Sequence, residues 1–312
     1  MVPALVLTAG LATRLRPLSF VRAKAALPVA GVPLVTRILR SLAGAGVTDA
    51  VLNLHHLPHT LTSLVGDGRA LGVRVRYSWE DPVLGSAGGP RRAVPLLTSP
   101  FLIVNGDTMT NCDLRALVDH HRASGALVTM AVVPNTEPDK YSGLIADGDG
   151  ALTGFAKRGS PDNASHFIGV QVVDAEAFDS IPAGLPFETR ALYDSLIAAR
   201  PGAIRVFQTS AEFFDIGTPA DYLDTSLRIA DREAHGVSSH QAARIDPSAL
   251  VERSVLWDDV VVEAGCLLRE CVVTDGVRVP ADTSWHGVTM RVARDELGPG
   301  ERRIEDLAIA SL

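Results

Sequence analysis

Between positions 245 and 283 one short pattern returns at a fixed interval. Ile245-Asp-Pro-Ser-Ala, Val262-Glu-Ala-Gly-Cys and Val279-Pro-Ala-Asp-Thr each open on an aliphatic residue followed by small or turn-forming ones, and each begins seventeen residues after the last. Aliphatic, mostly β-branched runs lie between them, at 251–256, 260–262 and 271–274. A unit this short cannot enclose a core alone and buries its apolar side chains only by stacking on the next copy. The spacing therefore predicts a short parallel β-helix built from hexapeptide-like steps, with only two or three coils. So small a stack is expected to be capped against the rest of the chain or against another subunit.

The texture before that point is different. A short continuous apolar run at 3–8 reads as a strand buried on both faces, 50–54 and 73–78 read as a second and third strand, and 101–104 as a fourth, buried one. Helical periodicity at 34–45 and 57–64 separates them. Alternation of this kind predicts right-handed crossovers and a mostly parallel sheet, with ligands at the strand ends. Further on, 127–133 and 167–173 read as strands, with Asp147-Gly148-Asp149-Gly150 as a hairpin turn between them. That acidic tetrad faintly resembles a calcium loop but lacks the remaining ligands and the closing Glu, so the turn reading is preferred. Helices are expected at 189–199 and 219–230, and Pro90-Arg91-Arg92 as the solvated start of another. A boundary between Ala230 and Ile245 gives two domains, 1–235 and 236–312.

Composition narrows the function classes. With 29 basic and 36 acidic residues the net charge is −7, so bulk electrostatics gives no support to a nucleic-acid partner, and any anionic ligand must be held locally. Cys112, Cys266 and Cys271 form no CxxC pair and are expected as reduced thiols in the cytosol. No basic leader precedes an apolar core at the N-terminus, and no apolar run approaches the ~20 residues of a membrane span.

The strongest local chemistry follows the first strand, in Leu7-Thr-Ala-Gly-Leu-Ala-Thr-Arg-Leu-Arg-Pro-Leu-Ser19. A turn of small residues leaving a buried strand lets backbone N–H groups approach phosphate oxygens. Arg14, Arg16 and Lys24 add positive charge. The run is neither a dinucleotide G-x-G-x-x-G nor a P-loop, and the residues alone leave an anion site and a plain tight turn equally open.

From Leu7 to Leu34 the chain resembles the sugar-1-phosphate nucleotidylyltransferase family, whose opening reads approximately L-A-A-G-x-G-T-R-L-R-P-L-T-x-x-x-P-K-P-L-x-P-V-x-G-K-P-L. Ala9, Gly10, Thr13 to Leu18, Lys24, Leu27 to Val29, Gly31 and Pro33-Leu34 match it. The resemblance implies a Rossmann-like mixed, mostly parallel sheet flanked by helices, and a C-terminal β-helix of the left-handed type. It implies transfer of a nucleotidyl group from an NTP to a sugar-1-phosphate, giving an NDP-sugar and pyrophosphate with Mg²⁺. Arg14 and Lys24 are the implied catalytic cations. Ala9, Gly10, Leu11, Ala12 and Thr13 form the implied nucleotide loop, and Gly85 and Gly88, in Leu84-Gly-Ser-Ala-Gly-Gly89, resemble the L-G-T-A-G loop that lies against the nucleobase. Glu80 is a candidate for base or sugar contact, with an exposed loop carboxylate as the equal alternative. Asp107 in Asn-Gly-Asp and Asp215 in Phe-Asp-Ile-Gly-Thr-Pro match the family's metal-binding acids; on local pattern alone they read as a turn former and a helix N-terminal acid.

The sugar side departs from the family. Phe155-Ala-Lys157-Arg158-Gly stands where relatives read F-x-E-K-P, so Lys157 replaces a sugar-contacting Glu and Arg158 a phosphate-binding Lys. Gly169 keeps the Gly of N-x-G without its Asn, and Gly143 falls in a Y-G-like turn with one residue inserted. Ala12 stands at the second Gly of G-x-G-T-R; a methyl there is accommodated at negative φ and narrows the room for a triphosphate. Ala23 replaces the Pro before Lys24. The 80–89 stretch favours UTP slightly, then GTP or dTTP. The β-helix or the catalytic domain is expected to mediate a homo-oligomer, with no nucleic-acid or membrane partner. The rival reading is a non-catalytic regulatory or assembly subunit on the same fold; retention of Arg14, Lys24, Asp107 and Asp215 argues against it. An acyltransferase activity in the β-helix would need more coils and catalytic histidines, and only His286 lies nearby. His55, His56 and His59 lack a closing metal ligand, and Trp257 and Trp285 read as packing residues.

Overall fold

A computed structural model describes residues 1–160, 164–233, 238–239, 243–294 and 296–312. The chain falls into two compact units. One comprises Met1–Gly10, Ile38–Pro58 and Val65–Phe214; the other comprises Leu11–Arg37, His59–Leu64 and Asp215–Leu312.

The first unit is built on a nine-stranded sheet. Its strands are β1 (Ala4–Leu7), β2 (Asp49–Leu54), β3 (Arg74–Trp79), β4 (Phe101–Asn105), β5 (Val128–Pro134), β6 (Gly143–Ala146), β7 (Leu152–Ala156), β8 (Ser165–Val173) and β9 (Ile204–Gln208). The spatial order is β7-β6-β8-β4-β1-β2-β3, with β5 joining β8 and β9 joining β5. β4, β1, β2 and β3 run parallel, as the buried apolar runs predict. β8 enters antiparallel between β4 and β5, and β9 returns parallel to β5. Helices α1 (Leu34–Gly44) and α2 (Pro58–Val65) fall where the periodicity places them.

Three elements differ from expectation. Asp147–Gly150 does form a turn, with Asp147 Oδ1 accepting from the N–H groups of Asp149 and Ala151, but it joins β6 and β7, two short strands the pattern did not reveal. A helix, α4 (Leu114–Ser124), capped by the Asp113 carboxylate, also went unread. The stretch read as a nucleobase loop is helix α3 (Gly85–Ala93), and Pro90-Arg91-Arg92 lie towards its end rather than at its start. Gly-Ser-Ala-Gly-Gly-Pro is a poor helix sequence; tertiary partners fix it, since Leu84 N–H donates to Glu80 and the N–H groups of Ala87 and Gly88 donate to Phe187 C=O. α3 packs on β1 and β2, α4 on β5, β8 and β9, and α5 (Thr189–Ala199) on β7 and β9. Leu5, Val51, Phe101, Ile103, Met130 and Tyr193 lie in the resulting core.

In the second unit, α6 (Pro219–Arg232) precedes the coils. Three parallel faces repeat in register: 244–245 on 261–262 on 278–279, 250–252 on 267–269 on 284–286, and 255–256 on 272–273 on 289–290. Each step is seventeen residues, as the sequence period requires. The corners keep the same period. Arg253, Glu270 and Gly287 all have positive φ, as do Asp259 with Gly276 and Gly265 with Asp282. Left-handed residues at fixed offsets let short strands turn through each corner. Val262, Leu268, Val273, Val279 and Met290 line the interior.

The final coil also carries a cap of its own, one the sequence pattern did not reveal. Val288–Val292 pairs antiparallel with Leu307–Ser311, which pairs antiparallel with Arg302–Ile304, so the chain's own last residues cover the edge of the final coil. Buried Arg291 locks this cap with a bidentate pair to Glu301, both bonds 2.7 Å. All three cysteines are buried and free. Among the described residues no helix is long and apolar enough to cross a membrane.

Candidate active site

In the first unit the carboxyl ends of the parallel strands are tied together by one buried polar chain. Thr8 N–H donates to Asn53 Oδ1 at 2.6 Å and Thr8 Oγ1 donates to Asn53 C=O. Asn53 Nδ2 donates to Glu80 Oε1 at 2.7 Å, and Glu80 Oε2 accepts from Leu84 N–H at 2.8 Å. This network fixes β1, β2, β3 and the start of α3 where a parallel sheet presents its ligand site. It also corrects the reading of Glu80. The side chain is neither an exposed loop carboxylate nor open to a ligand: it is 0% exposed, with both oxygens committed to protein donors. Asn53 was missed, because a single polar residue inside an apolar run carries no signature of what it bonds.

Thr8, Ala9 and Gly10 leave β1 beside the end of β4. Gly106 N–H donates to Leu7 C=O at 3.0 Å, and a Cβ at Gly106 would meet that carbonyl oxygen at 2.3 Å. Glycine is obligatory there, immediately before half-buried Asp107. Gly169 has φ +79° at a register shift in β8, and a Cβ on it would lie 2.9 Å from Thr108 Cβ, while Thr108 Oγ1 donates to Asp107 Oδ1 at 3.1 Å. The structure thus brings together the 8–10 turn, Asp107 and Gly169. Gly85 and Gly88 belong to a different contact. Their missing Cβ positions are filled by Glu188 Oε1 at 2.6 Å and by Leu185 C=O at 2.7 Å, so close packing inside the chain already explains glycine at both.

Of the sugar-side candidates, Gly143 lies across the strand pair from Ala156, the residue before Lys157. Gly143 packs against Ala164, with 2.3 Å between a built Cβ and the alanine methyl, whereas Lys157 and Arg158 are exposed in the turn after β7. Next to Gly143, the rings of Tyr141, His166 and Phe213 cluster, at centroid distances of 4.1 Å for Tyr141–His166 and 4.7 Å for His166–Phe213. Burial pushes the His166 imidazole down to about 4, which keeps it neutral at pH 7.

In the second unit, Thr13 to Ala26 holds three single-turn 3₁₀ helices. Thr13 and Arg14 are exposed and Lys24 is half-buried. Arg14, Asp215 and Asp221 converge on Gly217: a Cβ there would lie 3.8 Å from Arg14 Nη1, 3.5 Å from Asp215 Oδ2 and 3.1 Å from Asp221 Oδ2. Asp221 is held by the α6 cap, its Oδ2 accepting from Thr218 Oγ1 at 2.9 Å while Thr218 Oγ1 accepts from Asp221 N–H. A cation and two carboxylates thus meet around a buried residue that has no side chain.

Ala12 does not meet the condition of negative φ under which its methyl would be readily accommodated. Its φ is +48° and ψ +46°, the left-handed region, so the methyl is not accommodated at negative φ. Its carbonyl accepts from Leu15 N–H and Ser19 Oγ, which hold the strained geometry in place. A left-handed L-residue costs about 1–2 kcal/mol, partly offset by the lower unfolded-state entropy of Ala than Gly. Ala12→Gly is therefore expected to raise stability by up to about 1 kcal/mol without reducing turnover, checked by urea unfolding alongside steady-state assay.

A cavity of about 490 Å³ in the same unit contains none of these residues. Its lining includes Arg22, Asp258, Asp275 and Arg291, whose charges are already paired within the protein.

The Nucleotidyl transferase family matches residues 3–232, and a GlmU-like C-terminal hexapeptide family matches 233–291. The chain belongs to the nucleotidyl transferase family, that of the sugar-1-phosphate nucleotidylyltransferases, and is an enzyme of that class. It is 31% identical to a mannose-1-phosphate guanylyltransferase of Mycobacterium tuberculosis, over 90% of this chain and 82% of that one. It is 25% identical to a UTP–glucose-1-phosphate uridylyltransferase of Synechocystis, over 97% of this chain and 86% of the relative. Among solved structures, HddC from Yersinia pseudotuberculosis shares the fold with a TM-score of 0.65 at 22% identity, covering 73% of this chain and all of that one.

Proposed function

We propose that this enzyme joins an NTP and a sugar-1-phosphate into an NDP-sugar, releasing pyrophosphate, with UTP as the first candidate base. GTP is the second reading, favoured by the M. tuberculosis relative. The observation that carries the proposal is the convergence of Arg14 and Asp215 on Gly217, at the end of the small-residue loop.

The reaction displaces pyrophosphate from the α-phosphorus by a phosphate oxygen, which calls for positioning and charge neutralisation rather than a covalent nucleophile. Backbone N–H groups of Ala9 to Thr13 are assigned to the triphosphate, Arg14 to the departing pyrophosphate, and Lys24 to the α-phosphate or the attacking phosphate. Arg158, planar and permanently charged, is suited to clamp the sugar phosphate bidentately, with Lys157 and the glycines at 143 and 169 on the sugar side. Among the described residues no three His, Cys, Asp or Glu side chains group as for a protein-enclosed metal. Mg²⁺ needs fewer, since it takes one or two carboxylates and completes its shell with phosphate and water. Asp107 and Asp215 are donors of that kind and are assigned as its ligands; bound there, Mg²⁺ would neutralise charge on the phosphates. We also assign domain limits of 1–235 and 236–312, a cytosolic location and a homo-oligomer. The lysine at 157, where relatives carry a glutamate, points to a sugar recognised through different hydroxyl contacts.

The test is pyrophosphate release with Mg²⁺, screening UTP, GTP, dTTP, CTP and ATP against a panel of sugar-1-phosphates, with Asp107→Asn and Asp215→Asn alongside. Turnover with one base and one sugar that disappears in both variants supports the assignment and names the substrates. Nucleotide binding without turnover across the panel would favour a regulatory subunit, and absence of nucleotide binding would overturn the site.

A further inference from the structure

The loop that bears Arg14 and Lys24 groups with the C-terminal coils, and its anchors lie between those two cations. Arg22, two residues before Lys24, is held in a fork by aspartates from successive coils. Its Nε and Nη2 donate to Asp275 at 2.7 and 2.6 Å, and Nη2 also donates to Asp258 at 2.5 Å. Asp258 and Asp275 are seventeen residues apart, so they are the same corner position in consecutive turns of the β-helix. Asp258 N–H donates to Asp275 Oδ1 at 3.2 Å, which ties the two corners to each other. The guanidinium lies 5.3 Å from the ring centre of Trp257, a fully buried residue whose Nε1 donates to Tyr222 Oη at 2.8 Å; Tyr222 Oη in turn donates to Pro28 C=O, further along the same loop. Phe20 is the second anchor. Arg291 of the cap stands 5.2 Å from its ring centre, and Gly298 sits so close that a Cβ would come within 2.6 Å of Phe20 Cε2.

A fork this complete is out of proportion to a surface contact. Arg22 is only 11% exposed in its side chain, and its bidentate bonds fix direction as well as distance. Repetition of one aspartate in two coils suits a guanidinium, whose Nε and Nη2 donate in fixed directions that the single nitrogen of a lysine could not reproduce.

We infer that the β-helix is part of the catalytic apparatus: Asp258 and Asp275, acting through Arg22, are positioning residues that set the 11–37 loop so that Arg14 and Lys24 meet the phosphates. This rests on the proposed roles of Arg14 and Lys24. In phosphoryl transfer, where positioning is most of the catalysis, an error of about 1 Å costs on the order of a hundredfold.

The test compares Asp258→Asn/Asp275→Asn and Arg22→Lys with the wild type. Glu263→Gln, which breaks an exposed Arg278–Glu263 pair on the same β-helix, serves as the matched control, and Arg14→Ala reports on the reading beneath. Turnover, KM for each substrate and thermal unfolding are measured on the full chain. The double variant is expected to lose about 10- to 100-fold in kcat with KM for the sugar-1-phosphate within twofold and a melting temperature within a few degrees. Arg22→Lys is expected to fall between it and the wild type, and Glu263→Gln to match the wild type. The inference is overturned if the double variant turns over within twofold of wild type, or if its loss only follows lost stability and Glu263→Gln shows the same relation. Inactive Arg14→Ala beside a fully active double variant would remove the positioning role alone; fully active Arg14→Ala would remove both.

Discussion

Asp215→Asn is expected to reduce pyrophosphate release by about a hundredfold or more while moving the melting temperature by no more than a few degrees. The substitution keeps the shape of the side chain and removes its charge. Asp215 closes the strand Phe213–Asp215, and its Oδ2 lies beside Gly217, as do Arg14 and Asp221. The two carboxylates there are not equivalent. Asp221 is engaged in the α6 cap through Thr218, so its loss would loosen the helix start, whereas Asp215 takes no part in that cap. An electrostatic contribution of about 3 kcal/mol to the transition state corresponds to the stated loss in rate. The variant is also expected to need more Mg²⁺ for half-maximal turnover. Steady-state pyrophosphate release across a Mg²⁺ titration, with thermal unfolding of the same preparation, reads both effects. Turnover within threefold of wild type would remove Asp215 from the site.

Glu80→Ala is expected to act in the opposite way, costing about 3–5 kcal/mol of stability before any effect on nucleotide affinity. The carboxylate is wholly buried and accepts from two donors, Asn53 Nδ2 and Leu84 N–H. Truncation leaves both unpaired in a dry site, each worth about 1–3 kcal/mol, and opens a cavity as well. Glu80→Gln is expected to recover only part of the loss. A glutamine has one acceptor oxygen where two donors converge, and Asn53 cannot turn to help because its Oδ1 already accepts from Thr8 N–H. Urea unfolding of both variants, with nucleotide KM measured under stable conditions, distinguishes this brace from a ligand contact. Unchanged stability with a tenfold rise in KM would restore Glu80 to the base pocket.

What was legible in the sequence follows from how each element is stabilised. β1, β2 and β4 are buried on both faces, so their apolar runs stand out, whereas β3 alternates buried and exposed residues and shows as a Val-rich stretch. The coils repeat because each must fit the previous one, so their period survives in the chain. α3 was hidden because glycines and a proline form a helix only when Phe187 and Glu80 meet its N–H groups. β6 and β7 were hidden by brevity and by mixed burial. Of the proposed site, the loop and the two aspartates stand out through their motifs, while nothing in the pattern reveals the left-handed backbone of Ala12. The Thr8–Asn53–Glu80 network could not be read, since polar residues within apolar runs do not announce their partners. The fork on Arg22 lay further from view, because its acceptors are 236 and 253 residues away.

That separation has a consequence for the order in which the chain is made. During synthesis at roughly 5–20 residues per second, Arg22 emerges well over ten seconds before Asp275 can meet it. The nine strands of the first unit all lie upstream of residue 209 and can pair in that interval, while the 11–37 loop waits for the coils. A ribosome-bound chain stopped before Asp275 therefore carries every proposed catalytic side chain without the fork, and its 11–37 loop is among the last parts of the protein to take its final form.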